Sequence, residues 1–232
     1  MCRFFLSFGD PPFIFRRSFI EISRQDKTKG WSHGSGWGVL YVRDGEFGVI
    51  KSVKPIWESY REPPGGYAVY LFHSRLASVG SISLANTHPI IYGDFAIAHN
   101  GTIDRVKFEG ELRAMGIDTS TGGSTDTELF LKAFVELGAD IRALRQTAEV
   151  AIKYLDPEEP VLNVALVDLK RVEAHVFTYR LVEDPHFIPV VHKGDAIVVA
   201  SEPLSSEGWA PLANGTLITI SREGVKSEIL IR

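Results

Sequence analysis

Cysteine is almost absent from this 232-residue chain: there is one, Cys2, directly behind Met1. A lone thiol excludes an intramolecular disulfide framework and points to a reducing, intracellular setting. Long apolar runs are also lacking. None approaches the ~20 residues of a membrane span. The stretch from Phe4 to Phe8 stops at Gly9-Asp10-Pro11-Pro12, too short for a signal-peptide core. With a formal net charge of −4 and no lysine- or arginine-rich run, the chain has no electrostatic footprint for nucleic acid. Metal-ligand spacings such as HxxH or HExxH are missing, which leaves His73, His88 and His99 as structural histidines and the chain without a catalytic metal. Internal repeats, low-complexity tracts and Pro/Ser linkers are absent as well. The expectation is one soluble, cytoplasmic domain over residues 1–232, with neither membrane nor nucleic acid as a partner.

What is present suits a sizeable core: 44% of residues are hydrophobic and 23% charged. Residues 2–8 are rich in β-formers and read as a strand that ties the N-terminus into a sheet. Pro11-Pro12 opens a helix carrying Phe13, Phe15, Phe19, Ile20 and Ile22. Val39–Val42 and Glu46–Ile50, joined through Asp44-Gly45, read as a hairpin. Tyr67–Phe72 and Asp94–Ala98 read as buried strands, with Asn86-Thr87-His88-Pro89 a loop between them. Helical spacing follows over Asp126–Leu137 and Ile141–Leu155, with Asp140 as N-cap of the second. Strands return at Val161–Asp168, Val172–Tyr179, Phe187–His192, Ala196–Ala200, Thr216–Ser221 and Val225–Ile231. Strands, then helices, then strands predicts an α+β fold with mostly antiparallel sheets.

The position of Cys2 carries chemistry. Methionine aminopeptidase removes Met1 when a small residue follows, and the new terminus then bears a thiol and a free α-amine together. An α-amine titrates near ~7.7–8.0 and a thiol near ~8.5, so the amine is a built-in base for the thiol. Polar, glycine-marked segments recur at the ends of the apolar strands, where catalytic groups usually sit. Asn100-Gly101 reads as a turn, or as an oxyanion hole in which a side-chain amide and a glycine N–H converge on one oxygen. Arg75 reads as a paired surface arginine, or as a bidentate carboxylate binder. Asp126 reads as a favourable acid at a helix N-terminus, or as the partner of a substrate ammonium. Together, Arg75 and Asp126 are the two charges that a zwitterionic α-amino acid requires.

Cys2, His73-Ser74-Arg75-Leu76-Ala77-Ser78, Asn86-Thr87-His88-Pro89, Ala98-His99-Asn100-Gly101 and Ser124-Thr125-Asp126-Thr127-Glu128 occur in an order and spacing that resembles the class II glutamine amidotransferases. The resemblance spans Cys2 to Asp126 and continues weakly through Ala200–Leu204. It implies a four-layer αββα sandwich of the N-terminal-nucleophile hydrolase type, with no cofactor. By position, it makes Cys2 the nucleophile and its amine the base, Asn100 and Gly101 the oxyanion hole, Arg75 the carboxylate binder and Asp126 the ammonium binder. Ser78 matches a hydroxyl that assists the carboxylate, and Gly36-Trp37-Gly38 matches a loop that closes on glutamine. Leu76 and Val79 depart from the best-known synthases, which carry Trp and His there, and the C-terminal synthase domain is missing. The chain looks more like stand-alone members. The implied activity is glutaminase-type cleavage of L-glutamine through a thioester, releasing ammonia, with a separate synthase subunit as its potential acceptor. The alternatives are a γ-glutamyl peptide or conjugate hydrolase on the same fold, and a non-catalytic domain that binds glutamine or a partner.

Overall fold

The computed structural model describes residues 1–232. In chain order the elements are β1 (Arg3–Phe8), α1 (Phe13–Arg24), β2 (Trp37–Arg43), β3 (Glu46–Ser52), α2 (Ile56–Ser59), β4 (Val69–Ser74), β5 (Ile90–Tyr92), β6 (Phe95–Asn100), α3 (Arg105–Ala114), α4 (Asp126–Glu136) and α5 (Ile141–Ile152). The second half adds β7 (Val161–Asp168), β8 (Glu173–Arg180), β9 (Val190–Lys193), β10 (Ile197–Ala200), β11 (Trp209–Pro211), β12 (Thr216–Ser221) and β13 (Gly224–Ile229). One sheet has the order β11-β9-β10-β1-β4-β2-β3, the other β13-β12-β8-β7-β6-β5. Every pairing is antiparallel.

The strand period of two decides the layers. Phe4 and Leu6 of β1, Leu40 and Val42 of β2 and Leu71 of β4 face inward onto Ala96, Ala98, Ala165, Val167 and Val176 of the second sheet. Large side chains on one sheet meet small ones on the other, so the two sheets close on each other. The alternate residues face outward. Phe5, Val39 and Phe72 pack under Phe15, Phe19 and Ile22 of α1. Ile97, Leu162, Val164 and Phe177 pack under Phe108, Leu112, Leu129 and Phe130 of α3 and α4. Helices on both outer faces of two stacked sheets give the αββα sandwich that the resemblance implies.

Local rules account for the element ends. Asp44 (φ 51°) and Gly45 (φ 83°) make the left-handed pair that a two-residue hairpin between β2 and β3 requires. Thr125 and Asp140 cap α4 and α5 by accepting from the backbone N–H groups of Glu128 and Ala143. Several boundaries differ from the sequence reading. β4 runs on through His73 and Ser74, because its polar end is buried opposite Phe4 and Arg3. Phe187 belongs to a one-turn 3-10 helix, Pro185–Phe187, and β9 starts only after Pro189. The second central helix stops at Ile152, and Leu155 pairs instead with Ile103. The helix α3 was not anticipated. It buries only Phe108 and Leu112, too few for a periodic signal.

Phe5 stacks on Phe72 at 4.4 Å and meets Phe19 edge-on at 5.1 Å, fully buried under α1. Phe5→Ala is expected to cost about 3–5 kcal/mol, read as a lower urea midpoint at an unchanged m value.

Candidate active site

Cys2 precedes β1, and on strand alternation it shares the inward face of Phe4 and Leu6. It emerges where the inter-sheet core ends and polar side chains begin. Three contacts fix it. The Leu76 N–H donates to Cys2 Sγ (3.3 Å), the thiol donates to the Leu76 carbonyl (3.4 Å), and Asn100 Nδ2 donates to the Cys2 carbonyl (2.8 Å). Burial pushes the Cys2 thiol up, while the N-terminal charge, the Leu76 hydrogen bond and Arg75 pull it down; burial wins. In this environment the sulfur is a thiol at neutral pH, and it needs a base to become a nucleophile.

A cavity of about 20 Å³ opens on the sulfur, walled by Arg75, Ser78, His99, Gly101 and Asp126 among others. That is room for about one water. Arg75 and Asp126 therefore face the same small space as Cys2. Arg75 is also a structural tie. Its guanidinium donates to the carbonyls of Val79 (2.6 Å), Gly80 (3.2 Å) and Ser81 (2.9 Å). Asp126 is the first residue of α4, where the helix dipole favours an anion. Its Oδ2 accepts from the Ile103 N–H (2.8 Å) and its Oδ1 from the Thr127 N–H (3.0 Å). The Ser78 hydroxyl shares a hydrogen bond with Thr102 Oγ1 at 2.8 Å.

Gly101 has φ +126°, and a Cβ there would lie 1.9 Å from the Val161 carbonyl oxygen, so only glycine fits this approach to β7. The Asn100 amide, expected as an oxyanion donor, gives one of its two N–H groups to the Cys2 carbonyl here. Gly36 lies beside Arg75, whose N–H donates to its carbonyl at 2.8 Å. Trp37 does not reach the cavity. Its ring shares the outward face with Val39, is fully buried near Ile56, and donates to Ser59 Oγ at 2.8 Å. The same alternation that points Cys2 inward ahead of β1 points Trp37 outward on β2.

Two residues without an assigned role in the sequence reading belong to this corner. Glu159 accepts the Met1 ammonium on Oε1, and its Oε2 accepts from Thr102 Oγ1 at 2.6 Å. A chain of polar contacts thus runs from Ser78 through Thr102 and Glu159 to the N-terminus. Glu159 sits in the turn Asp156-Pro157-Glu158-Glu159-Pro160, which gives no local sign of it. The histidines His73, His88 and His99 do converge. His88 Nδ1 lies 3.1 Å from His73 Nε2, which lies 3.3 Å from the His99 carbonyl. No group of three potential ligands is placed to hold a metal ion. No helix is long and apolar enough to cross a membrane. A larger cleft, about 320 Å³, lies at the far ends of β6 and β7 around Phe95, Asp168 and His175, remote from Cys2.

No family model matches the sequence. A protein of Methanocaldococcus jannaschii described as uncharacterized is 24% identical over 241 aligned positions, covering 86% of this chain and 64% of that protein. The γ-glutamyl-hercynylcysteine sulfoxide hydrolase of Mycobacterium tuberculosis (strain CDC 1551 / Oshkosh) is 26% identical over 229, covering 96% of this chain and 90% of its own length. Among solved structures, the glutamine phosphoribosylpyrophosphate amidotransferase of B. subtilis superposes with a TM-score of 0.72 at 19% identity. That match takes in 99% of this chain and 49% of the amidotransferase. The chain thus spans under two thirds of the first of these proteins and about half of the last. At 19% identity that likeness shows the fold: the αββα sandwich of this chain is shared with the amidotransferase.

The buried histidines set an acid limit on the fold. Burial lowers His33 and His73 to about 3, and lowers His88 and His99 as well. An unfolded histidine titrates near ~6.5. Between that value and the folded one the unfolded chain holds more protons, so stability is intact above it and declines as the pH falls. The slope is about 1.4 kcal/mol per pH unit for each such histidine. Glu202, raised by burial, offsets part of this. The urea midpoint is expected to fall steadily from pH 6.5 to pH 4, and a flat midpoint would contradict neutral burial of these rings.

Proposed function

We propose that the chain is a Cys2-dependent γ-glutamyl amide hydrolase. The observation that carries this reading is the convergence of the Cys2 thiol, the Arg75 cation and the Asp126 anion on one cavity. A γ-glutamyl group has an α-carboxylate, an α-ammonium and a reactive side-chain carbonyl, and these three needs match those three residues.

Removal of Met1 turns the Cys2 backbone nitrogen into an amine next to the raised thiol. The amine takes the thiol proton, and the sulfur attacks the γ-carbonyl. As the oxyanion forms, the Gly101 backbone and the other N–H of the Asn100 amide donate to it. The C–N bond breaks, the Cys2 ammonium gives its proton to the departing nitrogen, and water then hydrolyses the γ-glutamyl thioester to glutamate. Ser78, held by Thr102, assists Arg75 at the carboxylate. With glutamine as substrate the leaving group is ammonia, which a separate synthase subunit would take up. A γ-glutamyl conjugate is favoured as a second reading by a shallow groove of about 430 Å³ that shares Leu76 and Ser78 with the cavity. The M. tuberculosis relative, aligned over nearly all of this chain, is named for a conjugate of that kind.

The decisive experiment is glutamate release from glutamine and γ-glutamyl amides by untagged protein, alongside its intact mass. Met1 is expected to be missing, and 6-diazo-5-oxo-norleucine is expected to label Cys2 alone. Cys2→Ala is expected to fold normally and lose turnover. Full activity with Met1 retained, or with Cys2 replaced, would remove the mechanism. Arg75→Lys is expected chiefly to raise KM, since an ammonium cannot replace the planar fork. An unchanged KM would show that Arg75 only ties down the Val79–Ser81 carbonyls.

A further inference from the structure

The N-terminal methionine occupies a formed site. Its side chain is buried against Val161 and Phe187, and its ammonium is bound by Glu159. Its carbonyl carbon is bonded to the Cys2 nitrogen, the atom that, on the hydrolase reading above, must protonate the leaving group. The leaving nitrogen therefore sits within hydrogen-bond reach of the point where Met1 was attached. Glu159 also lines the groove beside the cavity, with Trp31, Ser32, Leu76, Ala77 and Ser78. The Trp31 ring is 40% exposed and braced edge-on by His186 at 5.0 Å.

We infer that the space vacated by Met1, with the adjoining groove, is a leaving-group subsite in which Glu159 binds a cation. The substrate class is a γ-glutamyl amide of a primary amine whose departing half carries an apolar stem and a positive charge. Met1 displays the pattern in miniature, with an apolar side chain against Val161 and Phe187 and an ammonium on Glu159. Free ammonia uses none of this. A neutral stem gains only the apolar wall, and an anionic stem meets the Glu159 carboxylate. Bond changes are those of the parent reaction: the γ-carbonyl–nitrogen bond breaks, the amine leaves with the proton from the Cys2 ammonium, and water completes the thioester hydrolysis.

The test uses Met1-processed protein and three γ-glutamyl amides of matched length, made from 1,4-diaminobutane (cationic), n-pentylamine (neutral) and 4-aminobutyrate (anionic), with glutamine as reference. The expected order of kcat/KM is cationic, neutral, anionic. The cationic amide should lead the neutral one about tenfold, as for one charge-assisted hydrogen bond. In Glu159→Gln that ratio is expected to collapse towards one. Equal rates for the cationic and neutral amides in the unaltered protein would overturn the subsite while glutamine turnover upheld the parent reading. An equal loss on all substrates in Glu159→Gln would also overturn it, assigning Glu159 to the Cys2 amine. Glutamate from none of the four substrates would overturn the parent reading and the subsite together.

Discussion

The central constraint on this molecule is the insertion of its first strand into the middle of a sheet. β1 pairs with β4 on one side and β10 on the other, so a chain terminus that would ordinarily fray is held by two ladders. Phe4 and Leu6 press one face of that strand onto the second sheet, and Phe5 presses the other onto α1. A slip of one residue would exchange these faces and carry Cys2 out of the inter-sheet gap. Burial of the phenylalanines therefore also sets the direction of the thiol. The position of a single polar atom is fixed by apolar packing several residues away.

Charge reinforces the same registration. Arg3 is fully buried and pairs with Asp26 at 2.9 Å and Glu202 at 3.1 Å, tying the segment after α1 and the segment after β10 to the start of β1. Its Nη1 also donates to the Cys2 carbonyl at 3.1 Å, the oxygen that Asn100 holds from the other sheet. Truncating one partner of such a network would leave a buried charge uncompensated. Cys2 is thus clamped from both sheets through its own carbonyl, while its sulfur, held at Leu76, faces the cavity.

Much of this was legible in the sequence. The strand at residues 2–8, the Asp44-Gly45 hairpin, the helices capped near Asp126 and at Asp140, and the convergence of Cys2, Arg75, Gly101 and Asp126 all follow from local pattern or motif order. The illegible parts share a cause: they depend on partners distant in sequence. His73 and Ser74 look like loop residues until Phe4 and Arg3 lie opposite them. Trp37 looks like part of a substrate loop until the parity of β2 turns its ring under α2. Glu159 looks like a solvated turn residue until the N-terminus arrives beside it. The Asn100 amide shows its engagement only when β6 is set next to β1.

The place where the sandwich departs from ideal packing is informative in itself. A buried polar atom that finds no partner in the protein costs about 1–3 kcal/mol, so such atoms are normally rare and scattered. Four buried side-chain atoms without a partner, on His73, His88, His99 and Asn100, lie together at one end of the inter-sheet gap. Elsewhere in that gap, alanines and valines close the sheets on each other. Unmet hydrogen-bonding capacity is thus gathered at the Cys2 end of the gap, where a polar ligand or ordered water would meet it. Sites that must bind polar groups give up stability of their own in this way. The apolar seam of the sandwich supplies the rigidity that lets this end tolerate the loss.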